Sequence, residues 1–105
     1  MGKKLEKLEK MEKVKVKFLS LLADLTGKQK LTLTIDKEAT IKDVIFRLYN
    51  AIEENSKKII FKSPTSLNRF ILIGLNGKDI RTLDNLNTKL KDGDELSFLP
   101  AIAGG

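Results

Sequence analysis

A chain of 105 residues has room for one domain with a modest core. Hydrophobic residues make up 41% and charged residues 32%, the balance of an ordinary soluble globular protein, and no apolar run approaches the ~20 residues that a membrane helix needs. With neither cysteine nor histidine the chain has no disulfide, thiolate, zinc or iron–sulfur chemistry and no imidazole base, and its net charge of +6 comes from lysines dispersed among acidic residues without aromatic interleaving, a pattern of solvated surface and not of a nucleic-acid site.

Residues 1–13 repeat lysine and glutamate around Leu5, Leu8 and Met11, a thin apolar stripe that reads as a charged N-terminal extension. It lacks the apolar core of a secretion signal, so the expected compartment is the cytoplasm. The stretch "VKVKFLS" (14–20) alternates with period two. Val14, Val16 and Phe18 share one face and Lys15, Lys17 and Leu19 the other, which predicts a strand with one buried side. "LADLTGKQK" reads as a loop turned by Gly27, and "LTLTI" alternates again through Leu31, Leu33 and Ile35, so the first two strands form a hairpin.

Thr40 opens a helix, its hydroxyl placed to cap the first amides, with Asp43 three residues on in a capping-box position. Ile41, Val44, Ile45, Leu48, Tyr49 and Ile52 form a single apolar stripe at helical spacing, so this helix must lie on a sheet. The pattern fades near Asn55, and "NSKKIIFKSPTSLNR" (55–69) reads as a long connection in which Pro64 forbids a continuous central strand. Within it "KIIF" is a short buried turn or an edge segment. "FILIGL" is a strand closed by the tight-turn pair Asn76-Gly77, "KDIRTL" resumes briefly, Asp92-Gly93 turns the chain again, and "ELSFLP" completes the sheet. The order predicts an α+β roll: a mixed sheet of about four to five strands on one main helix, with the first and last strands side by side. The domain occupies 14–99, followed by a mobile tail at 100–105.

With elements in this order, the stretches "VKVKFLSLLADLTGK", "LNGKDIRTL" and "LKDGDELSFLPAIAGG" resemble the ubiquitin-like sulfur-carrier family, which includes the small subunit of molybdopterin synthase and the archaeal small ubiquitin-like modifiers. The match spans about residues 14–105 and is most specific at Asp92-Gly93-Asp94, Leu96, Phe98, Pro100, Gly104 and Gly105. A single proline followed by alanine stands where two prolines are common. The resemblance implies a β-grasp fold in which an E1-like enzyme adenylates the carboxylate of Gly105 and sulfur transfer makes it a thiocarboxylate. That sulfur then goes to a pterin precursor on the molybdopterin synthase large subunit, in molybdenum cofactor biosynthesis; alternatively, Gly105 is joined to lysines of protein targets. A third alternative is a non-covalent ubiquitin-like interaction domain with an inert tail.

Elementary chemistry agrees with a carrier role. A free carboxylate is a poor acyl electrophile, and the chain contains neither GxxxxGK[ST] nor GxGxxG to hold ATP, so ATP belongs to an activating partner and this chain is its substrate, not a catalyst. No cofactor is expected on the chain itself. Pro100, Ala101, Ile102, Ala103 and Gly104 would thread the partner's cleft, reaching ~15–20 Å when extended, and two glycines keep side chains away from the reacting carbonyl. Parity along the last strand turns Leu96 and Phe98 inward and Leu99 outward, so Leu19 and Leu99 are expected to form an apolar docking patch at the root of the tail. Asp24, Asp79 and Asp92 are turn or loop carboxylates with no assigned chemistry.

Overall fold

The computed structural model describes residues 11–101. Five strands form one mixed sheet in the order β2-β1-β7-β5-β6. They are β1 (Glu12–Phe18), β2 (Lys30–Ile35), β5 (Ile71–Leu75), β6 (Lys78–Asp79) and β7 (Glu95–Pro100). The first strand pairs antiparallel with β2 and parallel with β7, and β7 pairs antiparallel with β5, so the first and last strands are central neighbours as expected.

Period-two patterning explains which face is covered. Val14, Val16, Phe18, Leu96, Phe98, Ile71, Ile73 and Leu75 all turn to one side and are buried. On that side lies helix α2 (Ile41–Ala51), which buries Ile41, Val44, Ile45 and Leu48 against the sheet. Each such side chain contributes ~1.5–3 kcal/mol on leaving water. Phe18 and Phe98 meet edge-to-face at 5.7 Å and 81° between the two central strands, the geometry the ring quadrupoles favour. The start of α2 is fixed by its sequence: the Thr40 hydroxyl accepts from the Asp43 amide, and the Asp43 carboxylate accepts from the Thr40 amide at 2.8 Å, a complete capping box.

Three expectations change. β1 begins at Glu12, two residues upstream of the expected strand, because the Asp92-Gly93 turn grips it: the Lys13 amide donates to Asp92 Oδ1 at 2.7 Å, and Gly93 donates to the Lys13 carbonyl. The segment read as a loop after β1 contains a short helix, α1 (Leu21–Thr26), anchored by fully buried Leu22 and ended by Gly27 in the left-handed region at φ 70°. The long connection at 55–69 is ordered as helix α3 (Glu54–Ile60) and a small hairpin, β3 (Phe61–Ser63) with β4 (Ser66–Leu67). Pro64 sits in that hairpin's turn, and Ile60 and Phe61 of "KIIF" are buried, with Phe61 edge-on to Tyr49 at 5.1 Å. Asn76 and Gly77, at φ 50° and 87°, make the expected tight turn into β6. No helix among the described residues is long and apolar enough to cross a membrane.

Candidate functional site

The last strand delivers the chain from the middle of the sheet to its C-terminal segment. Up to Phe98 it is bonded on both sides; the Leu19 amide, donating to the Phe98 carbonyl at 2.9 Å, makes the last bond on the β1 side. Leu99 and Pro100 then pair only with Leu72 and Ile71 of β5. The end of β7 is thus an edge, and proline suits an edge because it offers no N–H to another strand. Pro100 is the final residue of β7, where the expected strand "ELSFLP" ends, and Ala101 remains tied to the sheet by its amide, which donates to the Phe70 carbonyl. Ile102, Ala103, Gly104 and Gly105 lie outside the described residues, as do residues 1–10 of the N-terminal extension.

On the face opposite α2, Leu19 and Leu99 come together. They line one depression of about 290 Å³ with Leu72 and Gly74, rimmed by Ser97 and Asp79. Leu19 is 39% exposed, whereas Leu99 is half-buried beside its cross-strand partner Leu72. Gly74 is part of the lining, and a Cβ there would meet the Lys78 carbonyl at 3.6 Å, an ordinary contact. At the rim, Asp79 accepts hydrogen bonds from the Arg81 guanidinium and backbone amide, which hold its carboxyl below the usual range. The rim is therefore charged at neutral pH while the floor is apolar.

Four further apolar residues lie in or near the site. Leu72 has the parity of Leu99 and was visible in "FILIGL", where it alternates with the buried Ile71 and Ile73. Phe70, 44% exposed beside the bond that holds Ala101, shares the parity of Leu72 in the expected strand "FILIGL", but β5 begins one residue later, at Ile71. The exposed leucines of α1, Leu21 and Leu25, stand one helical turn apart near the same end of the sheet, hidden in a segment read as loop.

Sheet order, covered face and an apolar root leading to Gly-Gly define a ubiquitin-like β-grasp protein of the sulfur-carrier and modifier class. The chain belongs to the ThiS family, whose model matches residues 16–105. It is 34% identical over 73 residues to a protein of Archaeoglobus fulgidus provisionally named a sulfur carrier, an alignment covering 70% of this chain and 83% of that one. Its fold matches the solution structure of small archaeal modifier protein 1 from Methanosarcina acetivorans, with a TM-score of 0.71 and 33% identity over 90% of this chain and 98% of the other. It also matches a chain in the crystal structure of the Amycolatopsis orientalis BexX/CysO complex, with a TM-score of 0.61 and 31% identity over 88% and 99% of the two chains.

Proposed function

We propose that this protein is a carrier whose Gly105 carboxylate is adenylated by an E1-like partner and then converted to a thiocarboxylate. The observation that carries this reading is the placement of β7: it sets an apolar depression beside the end of the strand at Pro100, five residues before Gly105. A partner docked there has the acyl group within reach, because the four residues after Ala101 span at most ~13 Å at ~3.3 Å each. In the first step a carboxylate oxygen attacks the α-phosphate of ATP on the partner, forming the acyl-adenylate and releasing pyrophosphate. Hydrosulfide then attacks the acyl carbon, the bond to AMP breaks, and loss of the proton leaves the thiocarboxylate. The carrier supplies only the acyl group and the surface that presents it, and the phosphates are held by the partner.

As the acceptor of that sulfur we propose a pterin precursor on a molybdopterin synthase large subunit, on the strength of the tail's resemblance. A second use, attack by a lysine amine to give an isopeptide bond, is favoured by the likeness to small archaeal modifier protein 1. Intact mass spectrometry of protein isolated from its own host separates these outcomes, since a thiocarboxylate adds ~16 Da and a conjugate adds the mass of its target. Deleting Gly105 should abolish adenylate formation and leave the melting midpoint unchanged, because chain ends carry few contacts. Normal adenylation of the truncated chain would overturn the reading.

A further inference from the structure

Beside the apolar depression, the open face of the sheet carries a row of like charge. Parity places Lys13, Lys15 and Lys17 of β1 on this face, and the register sets Lys30 of β2 directly opposite Lys17. Alternate residues on a strand stand ~7 Å apart and paired residues ~5 Å, both within the ~8–10 Å over which charges interact at ordinary salt. Among the described residues a single ion pair touches the row, Lys17 to Glu95 at 3.2 Å. Asp92, near its end, accepts from the backbone amide of Lys13. The other open-face positions of β2 are Thr32 and Thr34, which bring no negative charge.

Like charges set opposite one another weaken a sheet. Glu95 of β7, which the register sets opposite Lys15 and which pairs with Lys17, meets the row with one negative charge against its four positive ones, whereas Arg81–Asp79, Lys89–Glu38 and Lys57–Glu54 are matched one to one. The row is also continuous with the apolar patch. Leu19 lines the depression on one side and, on the other, a hollow of about 500 Å³ bounded by Lys17, Gln29, Lys30 and Asp24.

We propose that Lys13, Lys15, Lys17 and Lys30 form a second docking zone that takes an acidic surface of the adenylating protein, and so orients the carrier with its tail toward that protein's cleft. This rests on the reading that the tail is activated by a partner. Charge complementarity sets the sign of the occupant's surface, and continuity with the apolar depression makes it the protein already docked at the tail. A nucleic acid fits less well, because no aromatic side chain interleaves with the four lysines to stack a base.

The test pairs the full-length carrier with its cognate adenylating enzyme. The variant Lys15→Gln/Lys30→Gln is compared with Lys58→Gln/Lys62→Gln, which removes the same charge from exposed positions on α3 and β3. Binding is measured without ATP at two ionic strengths, and ATP–pyrophosphate exchange is followed separately. The row variant should bind about tenfold more weakly at low salt and lose much of its salt dependence, with kcat for exchange unchanged, while the control variant matches the wild type. Equal weakening in both variants would reduce the effect to net charge and overturn the proposal. So would unchanged binding by the row variant, or tight salt-dependent binding of a single-stranded oligonucleotide in place of the enzyme. Row-dependent binding without any exchange would keep the docking zone and overturn the tail chemistry; exchange in which the row variant keeps the wild-type KM as well as kcat would do the reverse. Melting midpoints report on folding, and removing Lys30 from opposite Lys17 should leave the midpoint equal or higher.

Discussion

Leu19→Asp separates a docking role from a core role at one position. Leu19 follows the end of β1, and its tie to the sheet is a backbone bond to the Phe98 carbonyl that any residue can make. Folding should therefore lose less than ~1 kcal/mol, and the melting midpoint should fall by no more than ~8 °C. Binding should respond more strongly. With 39% of the residue still exposed, a partner can recover that share of a leucine's transfer energy, about 1 kcal/mol, and an aspartate pressed into the same apolar contact adds ~1–3 kcal/mol of uncompensated desolvation. The sum, ~2 kcal/mol or more, weakens the complex by about 30-fold. Its neighbour Phe18 is the contrast, being 2% exposed and 5.7 Å from Phe98. Phe18→Ala should cost ~3–5 kcal/mol and lower the midpoint by at least ~12 °C. Thermal melts and titration with the adenylating enzyme read both quantities. A fall of more than ~12 °C in Leu19→Asp, or an unchanged dissociation constant, would show that the faces of the sheet have been misassigned.

Gly104→Val should slow adenylation without changing the melt, since a β-branched side chain restricts the backbone beside the reacting carbonyl; exchange at the wild-type rate would refute the narrow-cleft argument. Thr40→Ala removes one half of the capping box and should cost ~1 kcal/mol, seen as a midpoint ~4–8 °C lower with binding intact. Asp79 has its folded pKa lowered by Arg81, so its contribution is complete above the unfolded value near 3.8 and is lost as pH falls through the lower folded value. An NMR titration of its carboxyl in Arg81→Ala should move the midpoint up toward the ordinary value, and no movement would mean that another group holds it.

The parts of the fold legible in the sequence are those where periodicity is coupled to one buried face. Val14, Val16 and Phe18, the stripe from Ile41 to Ile52, and the Asn76-Gly77 pair each repeat a signal tied directly to geometry. The missed elements are short. Helix α1 buries only Leu22 and has no side-chain cap, and α3 buries only Ser56 and Ile60, so neither offers a repeat long enough to distinguish helix from loop. Strand β6 has two residues and depends on its partner strand for its definition. At the site, parity alone placed Leu19 and Leu99 on the outer face, but their meeting in one depression required the parallel pairing of β1 with β7, a contact between distant parts of the sequence.

That parallel pairing also explains why folding and presentation can share one strand without sharing residues. In β7 the odd-parity and even-parity positions face different solvents: Leu96 and Phe98 are fully buried against α2, whereas Ser97 and Leu99 line the outer depression. Period two thus confines packing demands to one set of side chains and leaves the other set free to match a partner. Because β7 is flanked by β1 and β5 up to Phe98, its position is held by ladders on both sides to that residue, and the β5 ladder alone carries it on to Pro100. A one-residue slip of β7 would exchange the two sets, burying Ser97 and Leu99 and turning Phe98 to solvent, so the register that stabilises the core is the same one that positions the docking face. The core therefore specifies the outer patch indirectly, and any partner that bound Leu19, Leu72 and Leu99 together would be selecting the correctly folded sheet.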